Sequence, residues 1–134
     1  MCGIVGIYFK KKKLHNKLGK YLSGMLDNMS SRGPDSAGFA IYNNDTKKFY
    51  KYSLCINDKS IINEFEVDIK NKFKDLTIKS VSDHLVIQTL SSPKTVIPYI
   101  KKKYDNILIV GYGKSIEIFK QVGNPKEIVK KFNH

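Results

Sequence analysis

The chain has 134 residues, 41% of them apolar, with seven Phe and eight Tyr, enough for one hydrophobic core and one domain of ordinary size. No run approaches the roughly 18 apolar residues of a membrane span, and no leader with positive charges ahead of an apolar stretch opens the chain, so a cytoplasmic protein without membrane association is expected. The formal charge is 24 − 12 = +12, yet Arg32 is the only arginine. Specific nucleic-acid recognition favours the guanidinium fork, so a solvated lysine-rich surface is the expected reading.

In chain order, residues 3–9 (GIVGIYF) are expected as a strand entering the core, and residues 10–16 as a polar turn. Asn16 is placed to cap a helix over 17–29, where Leu18, Leu22, Met25, Leu26 and Met29 recur at helical spacing. The Gly-Pro pair and short polar side chains of residues 30–36 demand a loop, after which 37–42 (AGFAIY) read as extended. Residues 43–46 suggest a hairpin turn into a second strand over 48–54.

Ile62, Phe65, Ile69 and Phe73 define an amphipathic helix beginning near Ser60. A strand is expected over 85–90, Pro93 and Pro98 limit any helix after it, and 106–110 form a buried strand before a turn at 111–113. Residues 115–119 are expected to pair with that strand. Pro125 starts a last short helix through Phe132, with Glu127 early and lysines late, as the helix dipole prefers.

Two cysteines, Cys2 and Cys55, are too few for a disulfide scaffold and lack metal-ligand spacing along the chain. Cys2 is the more informative. Removal of Met1 would give it a free α-amine, titrating near 7.7–8.0 beside a thiol titrating near 8.5, so a nucleophile and its base would belong to one residue. Between the first expected helix and the second expected strand, the loop SSRGPDSAG holds Arg32 and Asp35 close enough to pair or to divide their hydrogen bonds among backbone groups. His84, within an apolar strand, reads as a packed or edge histidine rather than a base. The GYGK of residues 111–114 lacks the longer glycine-rich pattern of a phosphate loop.

The start MCGIVGIYF followed some 30 residues later by SRGPDSAGFAIY resembles the amino-terminal part of class II glutamine amidotransferase domains, which are N-terminal-nucleophile hydrolases. The carboxyl-terminal SIEIFKQVGNPKEIVKKF is similar to the archaeal glutamate-synthase-related subgroup. The resemblance implies an α+β chain with a partial four-layer αββα fold, in a single, incomplete domain spanning residues 1–134. It also implies L-glutamine as substrate, Cys2 as catalytic nucleophile, and a site-shaping loop built by Arg32, Gly33, Asp35 and Gly38. No cofactor and no metal are implied, and Cys55, His84 and His134 match no catalytic position of the family.

Family members continue with a His-x-Arg segment that helps hold the substrate carboxylate, an Asn-Gly oxyanion pair and an Asp that receives the substrate amine. None of these can be placed in this sequence. Glutaminase chemistry is therefore expected to require further carboxyl-terminal residues or a partner chain, either a C-terminal half or a synthase subunit. The alternative is an inactive fragment serving a structural or assembly role.

Overall fold

The computed structural model describes residues 2–43 and 45–132, with side chains described as far as Ile128 apart from Asn44. The chain is α+β, and two compact units are distinguished: residues 39–119 form one, residues 1–38 with 120–134 the other.

The unit of residues 39–119 is built on a four-stranded antiparallel sheet ordered β3-β4-β2-β5, from Thr77–Val81, His84–Thr89, Tyr50–Ile56 and Ile107–Gly113. β2 is central and buried along almost its whole length, as a strand covered on both faces must be. Its Tyr52, Leu54 and Ile56 join Leu85 and Ile87 of β4 and Ile107 of β5 on one face. Onto them pack Phe65 and Ile69 of α2 (Ile62–Lys72) and Val96 and Ile100 of α3 (Pro93–Lys103). The helical period read from Ile62 to Phe73 is thus the core stripe of α2.

Asp68, on the same helix, ties α2 to α3. It accepts hydrogen bonds from Tyr99 Oη at 2.9 Å, Lys103 Nζ at 2.8 Å and Tyr104 Oη at 2.6 Å. Pro98 lies inside α3 and does not end it. The carbonyl deprived of its donor belongs to Lys94, an exposed residue whose backbone can be solvated, while Val96 and Ile100 hold the helix to the core.

On the opposite face of the sheet lie Lys51, Ser53, Cys55, His84 and Val86, all buried. They are covered by residues of β6 (Ile116–Val122), a strand that pairs with β1 (Ser36–Tyr42) in a separate two-stranded sheet. Ile118 N donates to Ser53 Oγ at 2.8 Å, Lys51 Nζ lies 3.2 Å from Glu117 Oε1, and Phe119 packs on both Phe39 and His84.

Both expected strand pairings are therefore corrected: β1 pairs with β6 rather than with β2, and β6 does not join β5. Proximity in sequence does not by itself make strands pair; each strand lies where its buried face is covered. The Gly111-Tyr112-Gly113 stretch is also strand rather than turn. A Cβ on Gly111 would collide with the Ile118 side chain, and one on Gly113 would sit 2.7 Å from Ile116 Cγ2, so these glycines admit close passage of β6. Pairing between β2 and β5 shifts register at Ser53/Leu54, leaving Val110 as an extra residue on β5. β3 was not foreseen; it forms a hairpin with β4 through Ser82-Asp83, where Ser82 has φ 60°.

In the other unit, residues 2–9 have no ladder partner among the described residues, which corrects the expected strand. Their burial nevertheless alternates: Val5, Ile7 and Phe9 are half-buried, while Ile4 and Tyr8 are exposed. Phe9 meets Tyr21 edge-on at 5.7 Å. A 3-10 segment, Lys12–Lys17, replaces the expected polar turn and leads into α1 (Leu18–Asn28) without an Asn16 cap. α1 packs against α4, Pro125–Phe132, the final helix read from the sequence, and Lys126 Nζ lies 3.7 Å from Asp27 Oδ1. Met1 and His134 fall outside the described residues.

Candidate functional site

α1 ends in successive tight turns, with Met29 N donating to Leu26 O and Arg32 N to Met29 O, both at 3.0 Å. They carry the chain into residues 33–35, which have no regular structure, and then into β1. A second tie fixes the far side of the loop. Gly123 N donates to Asp35 O at 2.9 Å, and Gly123 has φ 134°, a conformation that L side chains rarely adopt.

The amino-terminal segment comes to the same place. A Cβ built on Gly3 would run into the Met29 methyl and lie 3.6 Å from Arg32 Cβ, so the residue after Cys2 packs where α1 gives way to the loop. Cys2 is an exposed free thiol. Arg32, Asp35 and Gly38 are exposed and Gly33 is half-buried.

The start of the chain and the RGPD loop are thus neighbours. Arg32 and Asp35 do not pair, however: among the described residues the Arg32 guanidinium has no ion pair or side-chain hydrogen bond, and Asp35 engages Gly123 through its backbone. An exposed guanidinium can receive an anionic group, and an exposed thiol can attack an electrophilic carbon.

A second group of reactive side chains lies in the other unit. β2–β4 pairing sets Cys55 opposite His84, and Asp83 precedes His84 at the hairpin turn. Donor atoms of the three residues all lie within 4.8 Å of one another. Spacing along the chain gave no hint of this, because 27 residues separate Cys55 from Asp83 and only the strand register joins them. The available signal was the Ser82-Asp83 turn between two β-prone runs, which would have placed β3 and β4 in one hairpin.

No helix among the described residues is long and apolar enough to cross a membrane. No family model matches the chain, and no solved structure matches it. Two curated proteins do. The glutamine amidotransferase-like protein GlxB of Rhizobium meliloti is 36% identical over 99% of the chain and 45% of its own length. A protein of Methanothermobacter thermautotrophicus, provisionally named a glutamine amidotransferase, is 32% identical over 99% of the chain and 47% of its own length. The chain spans about half the length of these relatives. The likeness thus runs along nearly the whole of this chain, to a bacterial and an archaeal protein that both carry an amidotransferase name.

Proposed function

We propose that the chain carries the nucleophile-bearing part of a class II, N-terminal-nucleophile glutamine amidotransferase and takes part in releasing ammonia and glutamate from L-glutamine. The observation that carries this reading is the end-to-end similarity to both amidotransferase-named proteins. The exposure of Cys2 and the packing of Gly3 beside Arg32 agree with it.

In the proposed reaction Met1 is removed, and the α-amine of Cys2 takes the thiol proton. Cys2 Sγ attacks the side-chain carboxamide carbon, the C–N bond breaks, and the nitrogen leaves as ammonia with the proton held on the amine. Water then adds to the γ-glutamyl thioester, releasing glutamate and restoring the thiol. Arg32, Gly33, Asp35 and Gly38 shape the loop beside the nucleophile, and Gly3 lets that loop approach it.

The αββα fold of such enzymes is proposed here in part. The oxyanion donors and the clamp on the substrate's amino-acid end would come from sequence equivalent to the other half of the relatives, in this polypeptide or in a partner. Loss of one oxyanion donor costs about 10²–10³ in rate, so those residues set the turnover. A reducing cytoplasm, which keeps the thiol free, is the compartment that goes with this chemistry.

The test is intact-mass analysis of the native-start protein exposed to an electrophilic glutamine analogue, alone and with any partner supplying the second half. Loss of Met1 and a single adduct on Cys2 are expected, with protection by glutamine but not by asparagine and no adduct in Cys2→Ser. Labelling that glutamine leaves unaffected, or an adduct that persists in Cys2→Ser, would mean that the thiol is merely exposed and the proposed site is wrong.

A further inference from the structure

The Cys55–Asp83–His84 group belongs to the unit of residues 39–119, and its donor atoms lie close enough together to hold a metal ion. His84 is fully buried, Cys55 is 9% exposed and the Asp83 side chain 15% exposed, so two donors sit inside the fold and the third is partly open to solvent. All three are carried by paired strands and a two-residue turn, which hold side chains more rigidly than long loops do. His84 Nδ1 lies 2.8 Å from Asp83 Oδ1, the Asn57 carboxamide oxygen lies 3.8 Å from Cys55 Sγ, and Phe119 walls the imidazole at 5.7 Å.

We propose that Cys55, Asp83 and His84 bind a divalent cation of the zinc class. One thiolate, one imidazole and one carboxylate suit a borderline-soft, tetrahedral ion and not calcium or magnesium, which take oxygen ligands. Metal–ligand bonds of about 2.0–2.3 Å put tetrahedral donors roughly 3.3–3.6 Å apart, so a group already within 4.8 Å closes on an ion by side-chain rotations of about 1 Å.

Charge argues the same way. A dication with one thiolate, one carboxylate and a neutral imidazole is electrically neutral, which a low-dielectric interior tolerates far better than an isolated charge. A metal held here would fasten β2 to the β3–β4 hairpin.

The experiment uses the full chain in a Cys2→Ser background, which leaves Cys55 as the only thiol. Titration with cobalt(II) is expected to saturate at one equivalent with a thiolate-to-metal charge-transfer band that one equivalent of zinc abolishes. Cys55→Ser should lose the band. Asp83→Asn, at a partly exposed turn, should keep the far-UV circular dichroism of the parent and bind zinc at least about tenfold more weakly, the lower range for loss of even an outer-shell partner.

A folded Cys2→Ser chain that shows no thiolate band overturns the proposal, and so does zinc affinity unchanged in Asp83→Asn. Should Cys55→Ser fail to fold, the parent spectrum and Asp83→Asn decide the question between them.

Discussion

Glu117 shows how much a single residue can depend on its surroundings. It is 6% exposed, and its carboxylate faces Lys51 at 3.2 Å, where Lys51 is itself 7% exposed, with Lys79 at 3.7 Å and Asn43 Nδ2 donating at 3.3 Å. Breaking a buried pair from one side leaves an uncompensated charge, so Glu117→Ala is expected to lower unfolding stability by about 3–5 kcal/mol. The double variant Glu117→Leu with Lys51→Met should recover most of that loss in urea denaturation. Equal loss in both would mean that packing at these positions, rather than charge pairing, sets the cost.

Nothing around Glu117 in the sequence marks it as buried, since IEIFK reads as an ordinary alternating strand with its charge outward. Cys2 and the RGPD residues are the opposite case, visible at once because the pattern is local. What their residue types did not reveal is that Arg32 leaves Asp35 alone. Side chains three apart in a loop meet only if the backbone turns them together, and here the backbone carbonyl of Asp35 is engaged by Gly123 instead.

Among the elements, the helices were the most legible, since a 3.6-residue apolar period survives any tertiary arrangement that buries one stripe. α1 and α2 lie where that period placed them, α4 where Pro125 and the charge order placed it, and α3 tolerates Pro98 because its core contacts outweigh one missing donor. Strands were harder. Residues 2–9 have the alternation of a strand but no ladder, for a strand needs a partner as well as a pattern.

The link between α2 and α3 sets a pH window. Desolvation pushes the Asp68 carboxyl up, but hydrogen bonds from Lys103, Tyr104 and Tyr99 outweigh it and hold it below the ordinary 3.8. Burial, and then the hydrogen bond to Asp68, push the Tyr104 phenol above its ordinary 10.0. A depressed carboxyl contributes stability above its unfolded value that disappears as pH falls through the folded one. A raised phenol contributes below its unfolded value and loses that contribution as pH rises. Hydrogen exchange in α2 and α3 should therefore be slowest between about pH 4 and pH 10 once corrected for intrinsic rates. Asp68→Asn should flatten the acid side of that profile, and an unchanged acid limb would remove Asp68 as its cause.

For the whole molecule, the charge of +12 is carried by lysines rather than by a set of arginine forks. Binding to duplex DNA is expected to show no sequence preference and to weaken steeply between about 50 and 200 mM salt, as counterion release requires. Selectivity for one sequence that survives physiological salt would show that a recognition face exists. Composition is the ground for this expectation, because long-range charge depends on the sum of residues and little on their order.

The sequence by itself determined the mixed helix and strand content, the helices α1, α2 and α4, and the presence of two short motifs, the amino-terminal cysteine start and the RGPD loop, each of which depends on residues close together in the chain. Only the tertiary structure decided that β1 pairs with β6, that Gly111 admits Ile118, that Glu117 is buried on Lys51, and that Cys55 meets His84 and Asp83. Strand order and register join residues tens of positions apart. They are set by which faces can be covered and which backbones can approach, quantities that no local period records.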